Sequence, residues 1–224
     1  MHFARLLHLV DSALPTGSFA YSAGLESSVA LGLLPDGASL REYLYAYLQQ
    51  AGSQELPFVN SCFAVGPALG PALRAVAADY DAQLLLPALH RASAAQGRTW
   101  LRLLTSFYPE AGLPALNEWF AGQALPPHFT LAFALSLQRA GFARPEVSAM
   151  LLHLLLRDQL SAAIRLGRLG PLEAHRLQHA FYAVFDQLLA VNAAKQHDEA
   201  TRSAFLLDLA QGLHEELYSK LFQN

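Results

Sequence analysis

The stretch from Pro145 to Leu166 constrains the fold more than any other part of the chain, because it is apolar on nearly all sides at helical spacing. Pro145 suits the first helical position, and Gly167 suits the end of the helix. The stretch also contains three ionisable residues, His153, Arg157 and Asp158. These charges favour a helix buried in protein over a membrane span. The chain therefore needs further helices that enclose this one.

Helical spacing of apolar residues recurs along the rest of the chain. Ser39, with Glu42 three residues later, predicts a capping box at the start of a long helix. Gly167 and Gly170 bracket a turn before Pro171, which predicts a second long helix and hence a helical hairpin. The last segment ends in Lys220 and carries a stripe of small and large apolar residues, Leu206, Leu209, Ala210, Leu213 and Leu217.

Short clusters of proline and glycine separate these segments, and none is long enough to link two domains. Alternating strand patterns beside hairpin turns are absent from the sequence. We therefore predict an all-α fold, a single globular domain over residues 1–224 with roughly eight to ten helices. Residues 212–224 are predicted to form a C-terminal tail that docks on a partner.

The amino-acid composition indicates which kinds of partner the chain can bind. Lys+Arg number 15 against Asp+Glu 18, a net charge of −3, so the basic surplus that nucleic acid requires is missing. Charged residues make up only 15% of the chain and hydrophobic residues 53%, which predicts that another subunit covers some apolar surface. The N-terminal apolar run is too short and too polar for a secretory signal. We expect a cytoplasmic protein that neither binds nucleic acid nor spans a membrane.

Motifs that would indicate an enzyme are missing or incomplete. Cys62 is the only cysteine, so a disulfide within the chain and a cysteine-cluster metal site are excluded. The sequence has no phosphate-binding Gly-rich loop ending in Gly-Lys-Ser/Thr and no Gly-x-Ser-x-Gly elbow. His214-Glu215 begins like a zinc-protease helix, but Tyr218 stands where the second imidazole is needed. A catalytic function is therefore the weaker hypothesis.

His175 and His179 are the one histidine pair at metal-binding spacing that we singled out, four residues apart on a predicted helix face. They are weak candidates for a metal site, because the sequence gives no third ligand and solvent-facing histidines are common. A helical metal-binding protein or enzyme built on this pair stays open as an alternative. It predicts stoichiometric metal in the purified chain.

The segment from Asp11 to Glu26 differs from its surroundings. Pro15 fixes φ, Gly17 permits unusual backbone angles, and Ser18 is predicted to cap a helix that carries Leu25 inward. Gly24 would cost that helix about 1 kcal/mol relative to alanine, which is explained if another backbone approaches closely. A plain loop followed by a helix start is the alternative.

This segment resembles the opening signature of the UreF family of urease accessory proteins: a Leu-Pro-x-Gly turn, an aromatic residue, Ser-x-Ser and Gly-Leu-Glu. The matching residues are Leu14, Pro15, Gly17, Phe19, Ser22, Gly24, Leu25 and Glu26, with Ala20 in place of the first serine. The hairpin turn is also similar to the family's, through Arg165, Leu166, Leu169 and Gly170. The chain end resembles the family's His-Glu-x-x-Tyr-Ser-Arg-Leu-Phe ending, through His214, Glu215, Tyr218, Ser219, Lys220, Leu221 and Phe222.

The sequence departs from the family pattern at five positions, Arg168, Pro171, Ala174, His175 and Gln223. All except Gln223 lie at the hairpin turn or just after it, so they put the detail of partner contacts there in doubt.

The resemblance implies an all-α homodimer, a UreF-like helical bundle without catalysis or a cofactor of its own. Such a protein joins a UreD/UreH-type accessory protein and a UreG-type GTPase, and the complex delivers nickel to the urease apoprotein. Partner contacts are predicted at the residues that carry the resemblance: Pro15, Gly17, Phe19, Ser22, Gly24, Leu25, Glu26, Arg165, Gly170, Tyr218, Lys220, Leu221 and Phe222. A helical scaffold with another client stays open, because a fold does not fix a function.

Two roles within this set are hypotheses from residue type. Glu26 and Arg165 are expected to present surface charges to the GTPase, with ordinary surface ion pairs as the alternative. Tyr218, Leu221 and Phe222 are expected to dock the tail on the UreD-type partner. Packing of the tail on its own domain is the alternative.

Overall fold

A computed structural model of the protein describes residues 2–223, so Met1 and Asn224, the ends of the predicted domain and tail, lie outside the described residues. Between them the chain forms α-helices and short 3₁₀ turns without a β-strand, which confirms the all-α prediction. The ten α-helices of this part are α1 (His2–Leu9), α2 (Leu25–Ala30), α3 (Gly37–Val65), α4 (Pro71–Gln83), α5 (Pro87–Phe107), α6 (Leu113–Gly122), α7 (Phe129–Arg139), α8 (Arg144–Arg165), α9 (Pro171–Asn192) and α10 (Phe205–Gly212). The 3₁₀ turns are Ser18–Ala20, Pro109–Ala111, His197–Glu199 and Leu213–Glu216.

The start of α3 differs from the sequence prediction. Asp36 is the N-cap residue, and its carboxylate accepts a hydrogen bond of 2.8 Å from the backbone N–H of Ser39. The Ser39 hydroxyl accepts one of 3.2 Å from the backbone N–H of Asp36 in return, which completes a capping box. Ser39 is therefore the third helical residue, and the predicted box with Glu42 is wrong. An aspartate cap outside the apolar pattern begins the helix earlier.

Pro57 lies inside α3 and cannot donate a backbone hydrogen bond. The Ser53 carbonyl, four residues earlier, accepts the backbone N–H of Thr201 at 3.0 Å instead. The Ser53 hydroxyl donates to the Thr201 carbonyl, also at 3.0 Å. The proline thus leaves a backbone acceptor that fixes the connection between α9 and α10 against α3.

Two apolar clusters form the core, and the two long helices α3 and α8 contribute to both. The first includes Trp100, Phe58 and Leu151, and the second includes Leu48, Leu156 and Phe185. Cys62 lies fully buried in the first cluster, where burial raises the pKa of its thiol to about 12. It fills the core, as its residue type predicts.

Helix α8 is long and apolar enough to cross a membrane by length and composition, but 61% of its apolar window is buried inside the fold. The core helix of a soluble protein passes the same test, so this is weak evidence for a span. Pro145 is its second residue rather than its first. The predicted hairpin is confirmed, because Pro171 begins α9 directly after the turn that contains Gly167.

The C-terminal helix is shorter than predicted and turned about its axis. Helix α10 ends at Gly212, and one 3₁₀ turn follows, so Lys220 does not lie at a helix end. The buried residues of this helix are Leu207, Ala210 and Gln211. Most of the predicted stripe faces outward, with three exposed leucines, Leu206, Leu209 and Leu213. The stripe prediction is wrong because the buried face of so short a helix is set by packing on α2 and α5.

Candidate functional site

The turn at the start of the opening segment depends on Gly17, whose φ of +81° lies in the left-handed region. A 3₁₀ turn follows at once, and the Ser18 backbone N–H donates to the Thr16 hydroxyl at 3.4 Å. Helix α2 begins only at Leu25, after Gly24. Ser18 therefore does not cap that helix, and this part of the prediction is wrong.

Gly24 shows the close approach that the sequence predicts, but it lies before α2 rather than within it. A Cβ atom there would lie 3.2 Å from the Leu207 carbonyl oxygen and 3.3 Å from Gln211 Cβ. Its φ of +93° also favours glycine. The glycine thus lets α10 pack directly on the segment that precedes α2.

Glu26 is only 5% exposed and binds the C-terminal tail. Its Oε1 atom accepts the backbone N–H of Leu221 at 2.6 Å, and its Oε2 atom accepts that of Phe222 at 3.2 Å. His214 Nε2 lies 2.7 Å from the same Oε2 atom. The expectation that Glu26 presents a surface charge is wrong, since its carboxylate is satisfied inside the protein.

Arg165, at the end of α8, lies between two aromatic rings of the same region. Its guanidinium carbon lies 3.7 Å from the ring centroid of Phe19 and 4.1 Å from that of Phe222. One nitrogen donates to the Phe19 carbonyl at 2.5 Å and another to the Leu221 carbonyl at 3.4 Å. Arg165 therefore joins the opening segment to the tail by cation–π contacts and hydrogen bonds.

We call the assembly of Phe19, Glu26, Arg165, His214 and Phe222 the tail anchor. It joins three parts of the chain that are far apart in sequence, and the Gln223 backbone N–H adds a bond of 2.8 Å to the Ala20 carbonyl. A surface pocket of about 380 Å³ borders it, lined in part by Pro15, Gly17, Phe19, Arg165 and Phe222. The structure thus brings together residues of all three motifs that carry the resemblance.

Other predicted residues lie away from the anchor or support it indirectly. Ser22 and Leu25 are buried beneath it, and Gln159 donates to the Ser22 carbonyl at 2.9 Å. Gly170 precedes α9 at the exposed hairpin turn, and Lys220 donates to the Glu215 carbonyl at 2.8 Å. The prediction that Ser22 and Leu25 contact a partner directly is wrong, because both are fully buried, whereas Gly170 and Lys220 stay predicted partner contacts.

The tail packs partly on its own domain and is partly free to bind a partner, which were the two alternatives. Phe222 is 5% exposed and belongs to the second apolar cluster. Tyr218 is fully exposed and Leu221 is 60% exposed, and Phe19 nearby is 66% exposed. One aromatic residue therefore holds the tail on its own chain and leaves an apolar surface outside.

Among the family departures, Arg168 and Pro171 have clear structural roles. Arg168 donates to the Leu34 carbonyl and so ties the hairpin turn to the connection before α3. Pro171 is the first residue of α9. Ala174 is buried in the second apolar cluster, and His175 is exposed.

A buried polar group lies between α3, α4 and α7. Glu55 Oε2 accepts hydrogen bonds from the Tyr80 hydroxyl at 2.7 Å and the Thr130 hydroxyl at 2.6 Å. Burial raises the pKa of Glu55 above its ordinary value, although both hydrogen bonds and Arg202 oppose this. The group borders a partly open cavity of about 120 Å³.

A second polar cluster joins α4, α5 and the turn before α7. Asp81 Oδ1 lies 2.7 Å from His90 Nε2 and 2.9 Å from His128 Nε2. Hydrogen bonds from both histidines hold the pKa of Asp81 below its ordinary value against desolvation, and burial lowers the pKa of His128. No local motif joins these three residues, and the sequence analysis missed them.

His175 and His179 are both exposed on α9. Within residues 2–223, the group of three or more metal-ligating side chains that lie close enough to share an ion is Asp81, His90 and His128. The His175/His179 alternative therefore gains no third ligand from this part of the chain.

Comparisons with known proteins point to the family that the sequence resembles. A family model described as UreF matches residues 34–182. "Urease accessory protein F" of Oryza sativa subsp. indica is 33% identical over 218 residues, which cover 96% of this chain and 82% of the relative. "Urease accessory protein UreF" of Chromohalobacter salexigens is 32% identical over 227 residues, covering 99% and 94%, and that of Rhodopseudomonas palustris (strain BisA53) is 29% identical over 233 residues, covering 98% and 92%.

Proposed function

Because the chain belongs to the UreF family of urease accessory proteins, we propose that it is an adaptor that joins a UreD/UreH-type accessory protein to a UreG-type GTPase. The assembly inserts nickel into the urease apoprotein. The adaptor itself is non-catalytic and works in the cytoplasm as a homodimer. The GTP chemistry belongs to the partner, since this sequence has no phosphate-binding loop.

The tail anchor is the observation that carries this proposal. It holds the backbone next to Phe19 and Leu221, whose side chains are 66% and 60% exposed, and Tyr218, between His214 and Leu221 in the chain, is fully exposed. Exposed aromatic and aliphatic side chains on an ordered segment are typical of protein–protein contacts. We propose that this surface docks the UreD-type partner.

Glu26 and Arg165 serve this surface by positioning it. Glu26 fixes the tail backbone at Leu221 and Phe222, and Arg165 holds the Phe222 ring. Because the tail is already ordered, binding a partner costs less conformational entropy. Both residues therefore affect partner binding by positioning the tail. Which face of the protein binds the GTPase is a separate question.

Nickel enters this proposal as cargo of the assembled complex. The adaptor role needs no metal held tightly by this chain. The expected interface positions lie in the opening segment, the hairpin turn and the tail, whereas the His175/His179 pair lies exposed on the outer side of α9.

Co-purification with the UreD-type and UreG-type proteins, followed by size-exclusion chromatography, tests the adaptor role. We expect the GTPase to enter the complex only when this chain is present. The double variant Tyr218→Ser/Leu221→Ser should lose at least about tenfold in affinity for the UreD-type partner, because two exposed anchors are removed. Its thermal stability should not change.

Leu85→Ser is the matched control, since Leu85 is 83% exposed but lies between α4 and α5. It should bind the partners like the wild-type chain. Recruitment of the GTPase without this chain would contradict the adaptor role. Unchanged affinity of the double tail variant would contradict the docking surface alone.

A further inference from the structure

Asp81, His90 and His128 direct three ligand atoms toward one another from three separate elements. The two imidazole Nε2 atoms lie 2.7 Å and 2.9 Å from the same carboxylate oxygen. The ligand atoms of the three residues all lie within 4.8 Å of one another. The two imidazole rings meet edge to face, with their centroids 4.6 Å apart.

The fold holds His128 in place through α5. A Cβ atom on Gly97 would lie 1.6 Å from the Pro127 carbonyl oxygen, so only glycine lets this turn lie against the helix. The Ser93 hydroxyl accepts the backbone N–H of Phe129 at 3.2 Å. The His128 side chain is fully buried. Ligands fixed on rigid elements are the condition for a preorganised site.

The cluster is open to solvent on one side. The side chains of His90 and Asp81 are 36% and 31% exposed. His90 also lines a surface pocket of about 520 Å³ together with Ala94, Arg98 and Pro126. An ion can therefore reach the cluster without unfolding of the chain.

We propose that Asp81, His90 and His128 bind one divalent transition-metal ion of the Zn²⁺ and Ni²⁺ class. Two imidazoles and a carboxylate are ligands that these ions accept. Metal–ligand bonds of about 2.0–2.1 Å in a tetrahedral site place neighbouring ligand atoms roughly 3.3 Å apart. Each Nε2 atom therefore lies about half an ångström closer to the Asp81 oxygen than a shared ion requires, and small rotations of the partly exposed His90 and Asp81 side chains supply the difference.

Binding requires no proton acceptor when both rings are neutral. In the tautomer whose proton lies on Nδ1, each neutral ring directs its Nε2 lone pair toward the Asp81 carboxylate, and that lone pair can bind the ion. Water fills the remaining positions on the open side. The positive charge of Arg98, which lines the same surface pocket as His90, weakens the attraction for a cation. The site is therefore exchangeable.

Titration of the full chain tests the site without any partner, so this inference stands or falls independently of the adaptor role. The chain is freed of any histidine tag and stripped with a chelator, and heat is measured as NiCl₂ or ZnCl₂ is added. We expect one ion per chain. Asp81→Asn and His90→Gln should each weaken binding at least tenfold, because each removes a ligand.

The double variant His175→Ala/His179→Ala is the matched control and should keep the wild-type affinity. Co²⁺ supplies a second readout, since its visible absorption changes when imidazole and carboxylate replace water. Absence of saturable binding by wild-type protein would overturn the proposal. So would wild-type affinity in a folded His90→Gln chain, or loss of the site in the His175→Ala/His179→Ala chain.

Discussion

The carboxylate of Glu26 links two ends of the chain, through hydrogen bonds to two tail amides and to His214. A buried carboxylate of this kind stabilises a fold only while its partners stay in place, because each lost partner leaves a desolvated polar group. Glu55 is a half-buried carboxylate whose surroundings disfavour its charged form.

Glu26→Gln should lower the free energy of unfolding by about 2 to 3 kcal/mol, since it removes the charge that strengthens these hydrogen bonds. It should also make the tail more sensitive to limited proteolysis. Urea unfolding and digestion time courses measure both effects. Glu215→Gln is the control, because the Glu215 side chain is 58% exposed. Stability within about 0.5 kcal/mol of the wild type in Glu26→Gln would contradict this role.

The raised pKa of Glu55 predicts how the free energy of unfolding changes with pH. Its pKa is raised by burial above 4.5, so the protonated form is favoured in the folded state. The contribution of Glu55 to the free energy of unfolding is therefore fully present at pH values below its pKa in the unfolded chain. It is lost as the pH rises through its pKa in the folded chain.

Glu55→Gln should remove this loss and leave the free energy of unfolding at pH 8 equal to or above that of the wild type. The glutamine oxygen can still accept from the Tyr80 and Thr130 hydroxyls. Urea unfolding at pH 5 and pH 8 compares the two chains. A variant that loses more stability than wild type between these pH values would show that the sign is wrong.

Among the helices, the contact of α5 with the turn before α7 is the tightest glycine-dependent approach in residues 2–223. At Gly97 the obstacle is a backbone carbonyl, which cannot rotate away as a side chain can. At Gly52 in α3 the neighbour is the Leu188 side chain of α9, 2.7 Å from a Cβ atom placed there. A larger residue is therefore tolerated better at Gly52, where a side chain can move aside, than at Gly97, where a backbone carbonyl blocks it.

Gly97→Ala should lower stability by at least about 3 kcal/mol, because α5 must separate from the Pro127 backbone. Gly122→Ala is the matched control in α6, since no atom lies within 4 Å of its added Cβ. It should change stability by less than about 1 kcal/mol. Thermal and urea unfolding report both values, and equal stability of the two variants would contradict the close approach.

The molecule as a whole has few charged residues and many apolar side chains exposed on its surface. Four residues outside the tail segment are each more than half exposed, namely Phe3, Leu7, Leu172 and Val191. Apolar area of this kind favours association. The oligomer stays a prediction, and this exposed apolar area is an argument for it.

Sedimentation equilibrium of the isolated chain should give twice the mass of 24.4 kDa. The double variant Tyr218→Ser/Leu221→Ser should keep this mass, since the tail is proposed to dock a different protein. A monomer at every concentration measured would contradict the homodimer. A monomer in the tail variant alone would reassign the tail surface to self-association.

The sequence by itself determined the helical class, the positions of most turns and the family. These features depend on spacing of a few residues and on local φ preferences, so Pro171 and Gly17 could be placed without distant contacts. The capping box was misplaced because Asp36 precedes the apolar pattern used to locate the helix.

Only the tertiary structure decided which faces and charges are buried. Glu26 and His214 are 188 positions apart, and Asp81 meets His128 across 47. No periodicity spans such separations. The burial of Glu26 at the start of a helix and the meeting of one aspartate with two histidines could therefore not be predicted from local sequence patterns. Helix α10 shows the same limit, since packing on α2 buries Leu207 and leaves Leu206 outside. Local spacing fixes the helices, whereas desolvation and packing between distant segments fix the sites.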